Sequence, residues 1–347
     1  MSAEFRIGNR FVRIWSLLPL TAVLCLLFFG CGGGSGGDAG GGTPTLTYSG
    51  VSTPAEITSD NADALAAGAF DAGASGSGFT QIAALDEVES YEEATGRPFL
   101  TGISNVMQGA AGQIDFRAAA EQSVSSAVQT ESRTIHGTCG GSATYSIQVD
   151  TVSGAFSGSL TFSGYCEDGL SMSGHTSFYG FVNPGTEELE SFTFSFDYIS
   201  GTSGSASIAM AGQVDLSVSG ATLTVTMNMM VQDNNANRVC RVEAYQMIVT
   251  DHGTYAEVNI SGRFYDPDYG YIDLQTTSNF MINTSDEYPY SGQMILTGET
   301  GTAGGPTSAM LTAHDLTTCQ VRADTNGDGD YDDVDDYDSG AIPWTDL

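Results

Sequence analysis

Between residues 143 and 323 the hydrophobic pattern runs with a period of two. Tyr145, Ile147 and Val149 are separated by polar residues, and Phe192, Phe194, Phe196 and Tyr198 alternate with Thr193, Ser195 and Asp197. Val214, Leu216 and Val218 repeat the pattern, as do Leu223, Val225, Met227, Met229 and Val231. A strand points successive side chains to opposite faces, so each run presents one apolar face and one rich in Ser, Thr and Asp. About ten such runs are legible, separated by turn signals such as Asn183-Pro184-Gly185, Asp233-Asn234-Asn235, Asp251-His252-Gly253 and Asp266-Pro267-Asp268. Short connections make consecutive strands antiparallel neighbours, and no helical crossover is visible. The expected fold is mainly β: a large antiparallel sheet over residues 137–323, forming a soluble barrel or sandwich of about ten strands. The small, hydroxylated polar face and the lack of aromatic girdles favour this over a transmembrane barrel.

Ahead of the sheet, residues 44–136 read as a partly helical segment. Asp60 is placed to cap a short helix to about Phe70, because Ala62, Leu65, Ala66 and Ala69 recur at helical spacing. Ile82, Leu85 and Val88 predict a second helix to about Thr95, and residues 113–128 a third.

The first thirty residues form a secretory leader. Arg6, Arg10 and Arg13 precede an apolar run from Ile14 to Phe29 that stops at Gly30-Cys31. The run is short for a membrane span and has the order of an export signal. Leu27-Phe28-Phe29-Gly30-Cys31 resembles the lipobox of bacterial lipoproteins, with Phe28 where that family prefers leucine. The resemblance implies fatty acylation of Cys31, palmitate being one such chain, and a mature chain beginning there. Gly32 is not the aspartate associated with inner-membrane retention, so the resemblance implies lipid anchoring at the outer membrane. Residues 31–43 then form a tether, with eight glycines among the twelve residues from Gly32 to Thr43. Such a coil reaches roughly 20 Å.

Charge narrows the partners. The ten basic residues are all arginine and face 42 acids, for a net charge of −32. Phosphate contacts need clustered Lys and Arg, so nucleic acid is excluded as a partner. Beyond Cys31 four cysteines remain: Cys139, Cys166, Cys240 and Cys319. In an exported chain they imply two disulfides, with three possible pairings. Cys139–Cys166, which brackets a hairpin, and Cys240–Cys319 are favoured.

The strongest chemical signal lies in residues 324–347, an acidic tail. Asp324, Asn326, Asp328, Asp332 and Asp335 stand at loop positions 1, 3, 5, 9 and 12, with Gly329 at position 6 and the carbonyl of Asp330 at position 7. Hard oxygen ligands at this spacing suit Ca²⁺. The string resembles an EF-hand loop, and more closely the calcium loops of dockerins. Asp335 replaces the usual Glu, no helix-forming sequence follows, and only one loop is present. The resemblance therefore implies a structural calcium ion rather than a calcium sensor or a cohesin-binding pair. Neighbouring Asp333, Asp336 and Asp338 leave the register open.

Catalytic patterns are weak. Gly33-Gly34-Ser35-Gly36-Gly37 satisfies the nucleophile-elbow spacing but sits in the tether. Asp251-His252 and His314-Asp315 are adjacent pairs, and adjacent strand residues point to opposite faces. One further turn, Tyr265-Asp266-Pro267-Asp268-Tyr269-Gly270-Tyr271, sets aromatic rings beside carboxylates, a pattern suited either to sugar stacking or to a packed hairpin. The leading expectation is a non-catalytic envelope protein with a binding or structural role, whose partners are the membrane and a glycan or another envelope protein. Carbohydrate binding or adhesion is the first alternative, and a polysaccharide-acting hydrolase the second.

Overall fold

The period-two runs become strands in a computed structural model that describes residues 45–72 and 128–347, apart from positions 168, 187, 284, 285 and 287. The first long strands are β1 (Val128–His136), β2 (Gly140–Asp150), β3 (Ala155–Glu167), β4 (Leu170–Val182) and β5 (Leu189–Ser203). They are followed by β6 (Ala206–Ser219), β7 (Thr222–Asp233), β8 (Arg238–Asp251), β9 (Tyr255–Asp266) and β10 (Gly270–Asn283). The series ends with β11 (Ser291–Thr300), β12 (Pro306–Ala313), β13 (Thr318–Asp324) and the two-residue strands β14 (Tyr337–Asp338) and β15 (Ile342–Pro343). All belong to one antiparallel sheet in which strands β1 to β14 neighbour each other in chain order and β15 also pairs with β13. The fold is mainly β and antiparallel, as the alternation requires.

The sheet departs from the expectation in size and closure. It holds fifteen strands, fourteen of them along one hydrogen-bonded path with β15 off it, and among the described residues the path does not close, rather than about ten strands in a barrel or a two-sheet sandwich. Periodicity undercounts because β1 (VQTESRTIH) is exposed along most of its length and β14 and β15 are too short to show a pattern. The sheet also begins at Val128, ahead of Gly137 and at the end of the span read as a third helix. The remainder of that span, the second expected helix, the leader, Cys31 and the tether lie outside the described residues.

A belt of irregularities crosses the long strands. Register breaks fall between Phe162 and Tyr165, Phe196 and Ile199, Met227 and Met229, and Glu243 and Gln246. Each break shifts the alternation, so Phe196 and Ile199, three apart, are both buried. Bulges of this kind bend a strand and increase its twist. Gly212 illustrates the requirement: its φ is +134°, and a β-carbon there would lie 2.2 Å from the carbonyl oxygen of Asn228.

The sheet curves around the first expected helix, observed as α1 over residues 62–72. Ala62, Leu65, Ala66 and Ala69 are fully buried, on the face that the helical spacing predicts. The Tyr245 hydroxyl of β8 donates to the Ala69 carbonyl at 2.8 Å, and Phe264 of β9 packs against Gly68. Phe70 meets Phe280 of β10 and stacks on Trp344, which follows β15. Three consecutive strands and the C-terminus thus converge on one helix, in a single hydrophobic cluster.

The chain reaches that interior by passing between strands. β10 and β11 are in register from Asp273↔Thr297, and beyond this point residues 53–55 lie between them. Tyr271 N–H donates to Thr53 at 3.0 Å, Ala55 N–H donates to Tyr271 at 2.8 Å, and Glu299 N–H donates to Ala55 at 2.8 Å. Tyr48 stays outside, edge-on to Tyr265, while Ala55 and Ile57 are fully buried. No helix among the described residues is long and apolar enough to cross a membrane.

Cys139 and Cys166 form the expected disulfide, joining the β1–β2 turn to the end of β3 with Cα atoms 5.1 Å apart. The expected Cys240–Cys319 bond does not form, and both thiols are free. Cys240 lies on β8 and Cys319 on β13, five strands further along the sheet. That is roughly 24 Å measured along the sheet, whereas a disulfide needs Cα atoms within about 7 Å.

Candidate functional site

In an antiparallel meander every second connection falls at the same end. The β9–β10 turn, the β11–β12 turn and the loop after β13 therefore share one rim, with the point where residues 48–57 enter the sheet and with the Cys139–Cys166 bond. Both sequence-predicted sites lie on this rim.

The acidic loop begins where β13 ends. Asp324 is buried, and its carboxylate accepts from the loop's own N–H groups: Gly327 at 2.6 Å, Asp328 at 3.3 Å and Gly329 at 2.8 Å. Gly327 has φ +79°, and a side chain there would strike the Gly305 carbonyl. The loop is stitched to the β11–β12 turn, with Gly305 N–H donating to Gly327 at 2.9 Å and Ala303 N–H to Asn326 at 2.8 Å. Successive Asx turns then carry the backbone forward. Asp328 N–H donates to the Asn326 side chain at 2.8 Å, Asp330 N–H to Asp328 at 3.0 Å, Asp332 N–H to Asp330 at 2.9 Å and Asp335 N–H to Asp333 at 2.9 Å.

These turns bring carboxylate oxygens of Asp328, Asp330 and Asp333 within 4.8 Å of one another, all exposed. The Asn326 amide donates to both Asp328 and Asp333 at 3.3 Å. Of the residues predicted as ligands, Asp328 and Asp330 join this group, Asp330 by its side chain, and Asn326 borders it. Asp324 is committed to backbone N–H groups, Asp332 is turned to Arg322, and Asp335 does not join. Asp333 takes the third place because the loop doubles back. Its far end is pinned by the Thr325 hydroxyl donating to the Asp335 carbonyl at 2.7 Å and by N–H groups of Thr325 and Asp333 donating to Asp336. The N–H of Asp330 and the Asn326 amide hold the Asp328 carboxyl below its ordinary pKa, whereas burial raises that of Asp336. β14 pairs back onto β13 after the loop, so the segment is closed by strand rather than by helix.

Among the described residues one arginine serves this loop. Arg322 pairs with Asp332, donates to the Tyr331 carbonyl at 2.6 Å and lies 3.8 Å from Asp338. Three mutually close carboxylates are hard-oxygen donors of the kind Ca²⁺ takes, and among the described residues the cation paired within this loop is Arg322.

The tyrosine turn resolves as a packed hairpin. Asp266 is buried and accepts from Arg238 of β8 at 2.8 Å, while Arg238 also pairs with Asp268 at 3.0 Å. The other Asp266 oxygen accepts from Asp268 N–H at 2.9 Å and Tyr269 N–H at 3.3 Å. Burial opposes the Arg238 cation, but Asp266 and Asp268 outweigh it and raise its pKa. Tyr265 is covered by Tyr48 and by the Arg241 guanidinium at 4.7 Å from its ring, and donates to Glu243 at 2.6 Å. Arg263 lies 3.9 Å over the Tyr271 ring while it pairs with Asp273. Burial, and then Asp266, push the hydroxyl of Tyr48 and the thiol of Cys240 up to about 12. Tyr269 alone among the turn's three tyrosines is an exposed large side chain.

The adjacent Asp–His pairs do not couple. Asp251 accepts from Gly253 N–H at 2.6 Å and Asp315 accepts from Thr317 and Thr318, each closing its own turn. His252 stacks on Tyr255, and the His314 ring contacts Gln320 at 3.0 Å. Sequence reading missed Arg322, Arg238 and Tyr48; Arg322, two residues before Asp324, was the one in plain view. The chain matches no protein-family profile, no curated protein and no solved structure.

Proposed function

We propose that this chain is a lipid-anchored protein of the outer membrane with a non-catalytic binding or structural role, whose rim loop takes up one calcium ion. The observation that carries the calcium reading is the convergence of Asp328, Asp330 and Asp333 within 4.8 Å in a loop tied to a neighbouring turn. Three carboxylates held close repel one another, and a divalent cation relieves that repulsion without needing a further protein cation. The ion supplies charge and cross-linking, and Asp328, Asp330 and Asp333 would hold it.

The anchor reading rests on the Gly30-Cys31 signal and the glycine tether. The described chain resumes at residue 45 and enters the sheet at the same rim as the calcium loop. A tether attached there would join the body to the lipid at this rim. Two measurements test the reading. Mass spectrometry of the native product should find Cys31 acylated at the mature N-terminus, and an unmodified terminus removes the anchor. Calcium titration of the full chain should give one site that Asp328→Ala abolishes; heat of binding unchanged by that substitution removes the loop.

A further inference from the structure

The packing of the acidic loop imposes a chemically labile step. Gly327 has φ +79°, and a β-carbon there would lie 2.3 Å from the Gly305 carbonyl oxygen, so glycine is the residue that fits. Asn326 precedes it, and its side-chain oxygen accepts from the Asp328 N–H at 2.8 Å, which turns the chain. The two make Asn326-Gly327, the single Asn-Gly step in the sequence. With no side chain on the second residue, its backbone nitrogen reaches the asparagine amide carbon unobstructed. In that reaction a bond forms between the Gly327 nitrogen and Asn326 Cγ, and Nδ2 leaves as ammonia, carrying the hydrogen of the Gly327 N–H. Water then opens the cyclic imide at either carbonyl, leaving aspartate or isoaspartate at position 326. Water is the one co-reactant, and nothing is oxidised or reduced.

The fold holds this step closed. The Gly327 N–H donates to Asp324 Oδ1 at 2.6 Å and the Gly329 N–H to Oδ2 at 2.8 Å, so both oxygens of the buried carboxylate are engaged. The carbonyls on either side of the Gly327 nitrogen are held as well. Asn326 accepts from the Ala303 N–H at 2.8 Å, and Gly327 accepts from the Gly305 N–H at 2.9 Å. Attack needs the Gly327 nitrogen to leave the peptide plane and give up its hydrogen. Leaving the plane breaks these bonds, and a nitrogen stripped of its hydrogen would be a second negative charge beside Asp324. The product also fits badly. The Asn326 amide donates to Asp328 and to Asp333 at 3.3 Å, and a carboxylate in its place would replace a donor by a like charge.

We propose that Asn326 is a site of spontaneous deamidation, kept silent by Asp324 and the β11–β12 turn and released when the loop opens. Asp324 is its positioning residue: it touches the attacking nitrogen's hydrogen and fixes the peptide, and it takes no part in the bonds made or broken. An acid at position 326 then marks chains whose loop has been open.

The test incubates the full chain with chelator, so that no metal adds order to the loop, folded in one arm and in guanidinium in the other. Trypsin cutting after Arg322 releases Ala323–Leu347, and mass spectrometry reads the conversion of amide to acid. The denatured chain should deamidate at Asn326 ahead of its other asparagines. The folded chain should do so roughly tenfold or more slowly, because modification through an open form tracks the open fraction. Asp324→Asn keeps the shape of the side chain but offers one acceptor oxygen and no charge, and should recover most of that difference while the sheet's circular dichroism is unchanged. In the unaltered folded chain, hydrogen exchange at the Gly327 amide should be slowed by a similar factor, since both processes need the bond to Asp324 broken; this measurement decides the matter if the variant does not fold. Equal rates in the two arms, or a freely exchanging Gly327 amide, would overturn the proposal. So would a folded Asp324→Asn chain that deamidates no faster than the native one, which would make Asp324 a bystander, or more slowly, which would make it the base of the reaction.

Discussion

Two turns on one rim use the same acid and reach opposite electrostatic ends. At the β9–β10 turn, Asp266 and Asp268 share Arg238, and Asp273 takes Arg263. In the loop after β13, eight aspartates fall within residues 324–338, and among the described residues one arginine, Arg322, reaches them. Each acid of the first turn has an arginine partner, two of them sharing one, and Tyr265 and Tyr271 pack under arginines. The second has no comparable cation on β12 or β14, so three carboxylates stay exposed and close together. The contrast separates acids paired as structural parts from acids left exposed and close to one another.

The rim's covalent closure sets the scale against which both turns are measured. Replacing Cys139 and Cys166 by serine releases a constraint spanning 27 residues. It should lower unfolding free energy by about 3 kcal/mol, read by urea denaturation; a loss under about 1 kcal/mol would deny the bond its effect on the unfolded chain. Next is Arg238→Ala, which leaves the buried Asp266 carboxylate without its cation. The pair is partly exposed, so about 2 kcal/mol is expected; an unchanged denaturation midpoint would put the two turns on an equal footing.

Calcium should move the other turn and spare this one. At a free concentration ten times Kd it should stabilise the chain by about 1.4 kcal/mol, and Asp330→Asn should remove most of that gain. Melting curves with calcium and with chelator decide it, and superimposable curves would leave the exposed acids as surface alone. The smallest change is Tyr269→Ala, which should alter stability by less than about 0.5 kcal/mol because the ring is exposed. A glycan array with this variant separates a sugar-stacking tyrosine from a bystander: a signal lost with the ring assigns it a ligand, and an unchanged signal does not.

Much of the fold was legible because burial is periodic. Phe192, Phe194 and Phe196 had to share a face, and Ala62, Leu65, Ala66 and Ala69 had to share a helical stripe, whatever surrounded them. The hairpin around Cys139 and Cys166 was legible for the same local reason. Cys240 and Cys319 were not, because a disulfide depends on strand order in space rather than on count. β1 was hidden by its exposure, since an edge strand open to water on most of its surface needs no apolar alternation. In the acidic loop, residue type and the turning role of glycine were readable from spacing. The choice of Asp333 over Asp335 was not, because it follows from tertiary hydrogen bonds at the loop's two ends.

The sequence by itself determined the antiparallel β class, the face each strand buries, the acidic surface and the concentration of carboxylates near the C-terminus. These are properties of neighbours within a few residues, set by the pleat and by charge. Only the tertiary structure decided that the sheet stays open, that residues 53–55 pass between β10 and β11 to place α1 inside it, and which aspartates receive an arginine. Each of those outcomes depends on segments far apart in the chain meeting at one place, and such meetings leave no local periodicity to read.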